Sequence, residues 1–180
     1  MDTQYQRNVT QSKRKKYFRW LLEIILVLAL LFGIRMWQQH GMISGEAPEI
    51  MLQDLSGNTV KIADFQGKPL LLHFWATWCK FCKFEESWIN EIDKDWQVLT
   101  VATLSSGSEE EIRDYMQRHH ISHWQTIIDT DNSLAEHYGI SVMPSTFVID
   151  ANGNIRFREV GITTPWGWKI RLWLTDWFNA

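Results

Sequence analysis

The sequence is poor in the residues that build disulfide-stapled, fibrous or low-complexity proteins. Its 180 residues include two cysteines, four prolines and ten glycines. Two cysteines cannot form the disulfide framework of a small secreted scaffold, and so little glycine and proline excludes a collagen-like or low-complexity chain. Hydrophobic residues make up 45% of the chain, which is enough for a packed core. Length and composition therefore indicate one ordinary globular domain with an additional tail.

Excess positive charge is absent outside the N-terminus. Residues 1–19 contain six basic residues and one acidic residue, whereas residues 20–180 contain 12 basic and 20 acidic residues. A nucleic-acid-binding protein would carry its positive charge on the folded domain, so we predict no nucleic-acid partner. A basic N-terminus ahead of an acidic body is typical of a topology signal in a membrane protein.

An apolar segment follows the basic tail. Residues 20–37 contain only two charged residues, Glu23 and Arg35, and both are close to the ends of the segment. The segment approaches the ~20 residues that a bilayer-spanning helix needs, and Trp20 and Trp37 lie where aromatic residues border a membrane. We therefore predict a transmembrane anchor. A cleaved signal peptide and a buried helix of a soluble protein are the alternatives.

The Lys13–Lys16 run predicts the orientation of this anchor, because basic residues stay on the cytoplasmic side. The predicted organisation is a cytoplasmic tail at residues 1–19, the anchor at residues 20–37, a linker at residues 38–47 and an outer domain at residues 48–180. The expected location is the bacterial inner membrane, crossed once, with the outer domain facing the periplasm of a Gram-negative cell.

The outer domain alternates predicted strands and helices. In chain order they are a β-hairpin (Glu49–Asp54 and Thr59–Ile62), a short turn or helical piece (Ala63–Gly67), a strand (Leu70–Trp75), a helix (Cys79–Lys94), a strand (Val98–Thr103), a helix from Ser108 to about His120, a strand (Trp124–Asp129), a helix (Asn132–Tyr138), two strands (Ser145–Asp150 and Ile155–Val160) and a helix (Pro165–Phe178). The strand Leu70–Trp75 is almost wholly apolar, as expected for a central strand buried on both faces. This order predicts an α/β domain, with a central mixed β-sheet flanked by helices and an N-terminal β-hairpin extension.

The two cysteines lie three positions apart, in Cys79-Lys80-Phe81-Cys82. They open a predicted helix, whose N-terminus stabilises an anion. Because thiolates attack disulfides, we predict an exposed, readily deprotonated Cys79 as the nucleophile, with Lys80 as a nearby positive charge. Cys82 would then attack the mixed disulfide and release the product. The alternatives are an inert buried pair and a zinc site, which needs about four ligands where this pair supplies two.

Two motifs in the outer domain resemble one branch of the thioredoxin superfamily. The segment from Trp75 to Cys82 reads Trp-Ala-Thr-Trp-Cys-x-x-Cys, Met143–Asp150 reads Met-Pro-Ser-Thr-Phe-Val-Ile-Asp, and a turn at Gly153 follows. These motifs are similar to those of TlpA/ResA-type membrane-anchored thiol–disulfide oxidoreductases, and more narrowly to the suppressor-for-copper-sensitivity protein D group. The resemblance covers roughly residues 47–178. It implies a thioredoxin fold and protein-disulfide oxidoreductase activity, with no cofactor beyond the cysteines.

The resemblance also implies partners and a direction of electron flow. Relatives of this type mostly reduce disulfides, and they receive electrons from a DsbD-type transmembrane reductase. We therefore expect a reductase that acts on protein or peptide thiols and disulfides, while oxidation and isomerisation stay open. A periplasmic copper- or zinc-handling binding protein and a redox-inert docking subunit are the alternative functions.

The same resemblance implies three substrate-binding residues. In this superfamily the proline that matches Pro144 is cis and faces the cysteine pair. The preceding residue, Met143, would pair with an incoming peptide as an added strand. Trp78 corresponds to a residue that borders the substrate surface.

Two further residues are candidates for proton transfer. His73 lies on the central strand where thioredoxin has a buried acid, and a neutral histidine exchanges protons near pH 7. Glu85 matches an acid that relatives place near the active site, where burial would raise the pKa of a carboxyl group. Relatives usually have a proline shortly after that acid, whereas here Ser87 and Trp88 follow. The alternatives are a core histidine and a solvated helix acid.

Two other clusters have structural interpretations. His119, His120 and His123 lie near a predicted helix end, where copper or zinc binding is one interpretation. A solvated helix end is the favoured interpretation, and we predict no metal site.

In the last predicted helix, Ile170, Trp173, Leu174 and Trp177 recur at helical spacing. This recurrence predicts that they form the face that packs on the sheet. Trp166 and Trp168 fall outside that stripe; local packing is their expected role, and contact with a partner or the membrane surface is the alternative.

Overall fold

The computed structural model describes residues 3–103 and 106–179, and the chain divides into two units, residues 1–40 and 41–180. The first unit contains helix α1 (Thr3–Gln38). Its stretch Lys16–Gln38 is long and apolar enough to cross a membrane, and its side chains are exposed. This stretch includes the predicted anchor, residues 20–37, and is a candidate span by length and composition.

The second unit is built around a six-stranded mixed sheet in the order β1-β8-β7-β4-β5-β6. Strands β4, β5 and β6 are parallel, whereas β7, β8 and β1 continue the sheet through antiparallel pairs. A separate hairpin of β2 and β3 precedes the central strand. The strands are β1 (Gly45–Glu46), β2 (Met51–Gln53), β3 (Thr59–Lys61), β4 (Leu70–Trp75), β5 (Gln97–Thr103), β6 (Thr126–Asp129), β7 (Ser145–Ile149) and β8 (Asn154–Val160).

Four helices and a short 3-10 helix complete this unit. They are the 3-10 helix Ile62–Phe65, α2 (Lys80–Ile92), α3 (Glu109–Arg118), α4 (Ser133–His137) and α5 (Pro165–Asn179). The Ser108 side chain and Glu111 form a reciprocal capping box at the start of α3. The mixed sheet, its helices and the hairpin confirm the predicted fold class.

The sheet has one edge strand that the sequence did not predict. Strand β1 pairs antiparallel with the start of β8, and the Ala47 N–H donates a hydrogen bond to the Gly153 carbonyl at 2.8 Å. Met42 and Ala47 are buried. Part of the segment 38–47, which we interpreted as a linker, is therefore packed onto the folded unit.

Strand β4 separates two hydrophobic clusters, because successive side chains of a strand point to opposite faces. Leu72 and Phe74 belong to a cluster that includes the hairpin and α4. Leu71 and Trp75 belong to the opposite cluster, which packs α2, α3 and α5 on the sheet and contains both cysteines. Every residue of β4 is buried, which confirms the prediction of a central strand covered on both faces.

Helix α5 buries a different face from the predicted one. Trp168 and Leu172 are fully buried in the cluster that contains the cysteines. Ile170, Trp173 and Trp177 remain 55%, 53% and 67% exposed. The predicted packing face was therefore wrong. The helix carries apolar residues on two sides, so helical periodicity alone could not select the side that meets the sheet.

Candidate active site

Cys79 caps the N-terminus of α2. The chain turns after β4, where the Cys79 N–H donates to the Ala76 carbonyl at 3.1 Å, and Cys79 then adopts an extended conformation. The N–H of Cys82 donates to the Cys79 Sγ at 3.1 Å. After reduction the same contact would stabilise a thiolate at this sulfur, because the first helical turn offers free N–H groups and the positive end of the helix dipole.

The sulfurs of Cys79 and Cys82 form a disulfide bond. Cys79 is only 4% exposed and Cys82 is 3% exposed. The prediction of an exposed Cys79 is corrected accordingly, because both cysteines pack into a hydrophobic cluster. Cys79 nevertheless contributes to the wall of an open cleft, so a substrate sulfur has a route to it.

The cleft beside Cys79 has a volume of about 630 Å³. Its walls come from the start of α2, the end of β5, α4 and the loop before β7, and include Trp78, Thr103, Ala135, Ile140 and Met143. This mixture of apolar side chains with a few polar groups suits an amino-acid side chain next to a reacting cysteine.

The predicted substrate-binding residues lie at or next to this cleft. Met143 lines it together with Cys79, and the Met143–Pro144 peptide bond is cis. Pro144 is buried directly before β7, and its carbonyl accepts a hydrogen bond from the Gly161 N–H at 2.9 Å. Trp78 lies in the cleft wall and is 61% exposed. The fold thus brings Cys79, Trp78 and Met143 together.

Glu85 is fully buried in α2, one helical turn after Cys82. Its Oε1 accepts a hydrogen bond from the Thr163 N–H at 2.8 Å, whereas its buried Oε2 has no hydrogen-bond partner among the described residues. Burial raises the pKa of Glu85 to about 8, although the Thr163 N–H acts in the opposite direction. Glu85 is therefore a buried helix acid and not a solvated one.

The adjacent acid, Glu86, has a different environment. Its Oε1 accepts a hydrogen bond from the Tyr115 hydroxyl at 2.6 Å, and its Oε2 lies 2.9 Å from the His119 Nδ1. The rings of Tyr115 and His119 stack with their centroids 3.9 Å apart. His119 is thus packed at the end of α3 rather than solvated. Within the described part of the chain, no group of three or more His, Cys, Asp or Glu side chains is placed to hold a metal ion.

His73 is buried in the middle of β4. Its Nδ1 lies 2.9 Å from the Thr146 Oγ1 on β7, and its ring meets the Trp168 ring edge-on at 6.3 Å. Burial lowers the pKa of His73 to about 3. A ring that stays neutral near pH 7 does not exchange protons there by charging, so this geometry favours the core-histidine alternative.

The neutral state of His73 can be measured by NMR. We expect its ring ¹⁵N signals to stay those of a neutral imidazole between about pH 5 and pH 8, because charging would place an unsolvated cation in the core. A His73→Gln variant assigns the signals. Titration of the His73 ring within this range would contradict the prediction and restore His73 as a candidate for proton transfer.

The sequence did not predict the contact of Thr163 with Glu85 or the contact of Trp168 with His73. Thr163 lies 78 residues from Glu85 in sequence and donates its backbone N–H to the Glu85 side chain. No pattern of side chains predicts such a contact. Trp168, whose ring contacts His73, lies outside the predicted stripe of the last helix. The burial of Trp168 could have been predicted only by considering the second apolar side of that helix.

Comparisons with known proteins identify relatives of this chain. The AhpC/TSA family profile matches residues 43–158. A "Thioredoxin-like protein" of Haemophilus influenzae is 34% identical over 169 residues, which is 93% of this chain and 99% of the relative. The thiol-disulfide oxidoreductase ResA of Geobacillus thermodenitrificans is 31% identical over 68% of this chain and 71% of the relative. The structure of an exposed lipoprotein thioredoxin from Streptococcus pneumoniae superposes with a TM-score of 0.65 at 25% identity, over 71% of this chain and 99% of that one.

Proposed function

We propose that this chain, which belongs to the AhpC/TSA family, uses its Cys79–Cys82 pair to reduce disulfide bonds of proteins in the periplasm. It is a thiol–disulfide oxidoreductase with a thioredoxin fold. The observation that carries the proposal is a disulfide whose first sulfur caps a helix and lines an open cleft. Relatives named as thiol–disulfide oxidoreductases support the substrate class.

The proposed reaction starts from the dithiol form. The Cys79 thiolate attacks one sulfur of the substrate disulfide, so that a mixed disulfide forms and the other substrate sulfur leaves as a thiolate. Cys82 loses its proton and attacks the Cys79 sulfur. The substrate leaves with both sulfurs reduced, and the Cys79–Cys82 disulfide remains. Two electrons and two protons pass from the chain to the substrate, directly or through solvent.

Glu85 is the proposed acceptor of the Cys82 proton. The two residues are neighbours on one face of α2, and both are buried. Hydroxide and bulk buffer reach such a site poorly, so the neighbouring Glu85 carboxylate is the base within reach of the Cys82 thiol. After the reaction the proton can return to solvent or to the departing substrate thiolate.

Trp78, Met143 and Pro144 are the proposed substrate-binding residues. The backbone of Met143 would pair with an extended peptide segment at the cleft, in the manner of an added strand. Pro144 holds the start of β7 beside that segment. Trp78 supplies an exposed apolar surface in the wall of the same cleft.

The proposed location is the bacterial inner membrane, with the folded unit in the periplasm. The candidate span Lys16–Gln38 and the basic residues that precede it support a single anchor with a cytoplasmic N-terminus. A periplasmic reductase must be reduced again after each turnover. We propose a DsbD-type transmembrane reductase as the electron donor.

The direction of electron flow is tested by the reduction potential of the Cys79–Cys82 pair. We expect a value more negative than about −240 mV, because a reductase must hold its electrons less tightly than the glutathione couple does. Equilibration of the full-length chain in neutral detergent with dithiothreitol buffers, followed by thiol alkylation and mass spectrometry, measures it. A value near about −120 mV would instead indicate an oxidase.

A further inference from the structure

The beginning of helix α2 carries an exposed surface that the proposed reaction does not use. It consists of Lys80, Phe81, Lys83 and Phe84, which we call the Lys–Phe surface. All four side chains are exposed, and Phe81 and Phe84 expose 58% and 65% of their area. Large apolar side chains placed this openly beside a reaction centre mark a docking surface.

The Lys–Phe surface is continuous with the active-site cleft. Lys80 and Phe81 line that cleft together with Cys79, and Phe84 lies one helical turn beyond Phe81. A substrate segment bound at Cys79 can therefore extend from the cleft onto these side chains.

The charge of this surface is opposite to that of the folded unit. Residues 41–180 contain 11 basic and 19 acidic residues. Several arginines elsewhere in the unit pair with acids, as in Arg113–Glu109, Arg156–Asp150 and Arg171–Glu159. Within the described residues, Lys80 and Lys83 form no such ion pair, and no acidic side chain lines the cleft. Lys80 and Lys83 are thus exposed cations beside the cysteine pair, where a substrate has to bind.

We propose that the Lys–Phe surface selects substrates in which acidic and apolar side chains flank the reacting cysteine. This inference rests on the proposed reductase function and adds the substrate class. The substrate carboxylates lie against Lys80 and Lys83, and an apolar substrate side chain lies against Phe81 and Phe84. Opposite charges speed up the encounter of the substrate with the chain and fix the register in which it binds. The aromatic side chains supply contact area at little entropic cost. Neutral and basic substrate segments lack the electrostatic contribution.

The test compares synthetic peptides that share one intramolecular disulfide loop and differ only in their flanks. One peptide carries Glu and Leu, a second carries Lys and Leu, and a third carries Glu and Ser. The full-length chain in its dithiol form and in neutral detergent is mixed with each, and the second-order rate constant is followed by tryptophan fluorescence. Hydroxyethyl disulfide, which is small and uncharged, reports the intrinsic reactivity of the cysteine pair.

We expect the Glu-Leu peptide to react roughly 10-fold faster than the Lys-Leu peptide at low ionic strength. About 0.5 M salt should reduce this ratio, because it screens exposed charges. A Lys80→Glu/Lys83→Glu variant should invert the ratio. A Phe81→Ala/Phe84→Ala variant should remove the advantage of Glu-Leu over Glu-Ser.

The readout is the ratio of the rate constants for two peptides. Lys80 lies between the cysteines, so its replacement will also change their intrinsic reactivity, and this change cancels in the ratio. Lys68→Glu/Lys94→Glu is the matched control: it changes the net charge equally at exposed sites outside the cleft lining and should preserve the ratio. Equal rates for the acidic and basic peptides, or a ratio that survives charge reversal at Lys80 and Lys83, would overturn the inference. Failure to reduce hydroxyethyl disulfide would refute the proposed function instead.

Discussion

Replacing Cys79 with serine is expected to lower the rate of disulfide reduction at least about 1,000-fold, because the hydroxyl group of serine is not ionised near neutral pH and cannot act as the attacking thiolate. Cys82→Ser should have a different effect. Its Cys79 thiolate still attacks, but the mixed disulfide persists because no second sulfur displaces the substrate. Non-reducing mass spectrometry after incubation with a disulfide-bonded peptide should detect a covalent adduct of the Cys82→Ser chain.

These two variants are matched controls for each other, since each removes one sulfur and the same disulfide bond. Burial cannot decide which cysteine attacks, because the two residues are almost equally buried. The assignment rests on the N-cap position of Cys79, its contact with the Cys82 N–H and its place in the cleft wall. An adduct on Cys82 of the Cys79→Ser chain, formed at the same rate as the adduct on Cys79, would reverse the assignment.

Local signals explain why much of this domain could be predicted from the sequence. The apolar run of β4 predicts a buried strand, and Ser108 with Glu111 predicts the start of α3. Cys79 and Cys82 follow the strand at a spacing that opens a helix. Each of these signals lies within a few neighbouring residues, and the observed elements follow them closely. The position of Cys79 at the start of α2 could therefore be predicted without coordinates.

The features that could not be predicted from the sequence depend on contacts between distant segments. Strand β1 consists of two residues with no strand pattern, and it exists only because β8 offers a free edge. The buried side of α5 is chosen by packing on the sheet between two apolar sides of the helix. Burial between distant segments raises the pKa of Glu85, and the Thr163 N–H that opposes this shift reaches Glu85 only in the folded chain. The raised pKa of Glu85 could therefore be recognised only from the structure. Its position after Cys82 was enough to make it a candidate for proton transfer.

Replacing Glu85 with glutamine is expected to remove a large pH dependence of stability. The carboxyl pKa is raised from 4.5 to about 8 in the folded state, so between these values the folded chain holds a proton that the unfolded chain releases. The free energy of unfolding therefore falls as the pH rises through this window. At one pKa unit per 1.36 kcal/mol, the wild-type chain should lose on the order of 4 kcal/mol between about pH 5 and pH 9 from this group.

Glutamine imitates the protonated carboxyl group, since its side-chain oxygen can still accept the Thr163 N–H. Glu85→Gln should therefore match the wild type near about pH 5 and exceed its stability near about pH 9. Denaturant unfolding of the oxidised full-length chain in neutral detergent, followed by tryptophan fluorescence at both pH values, measures the difference. Glu86→Gln is the control for loss of a neighbouring carboxylate, and it should leave this pH dependence in place.

The same variant separates a structural role of Glu85 from its proposed role in proton transfer. If the carboxylate accepts the Cys82 proton, Glu85→Gln should slow the release of substrate from the mixed disulfide about 100-fold, because general base assistance typically contributes at least that much. Formation of the mixed disulfide by Cys79 should change much less, because Glu85 adjoins the other cysteine. Equal slowing of both steps would point to altered packing around the cysteines. Unchanged release together with a flattened stability profile would leave Glu85 as a buried acid without a part in the reaction.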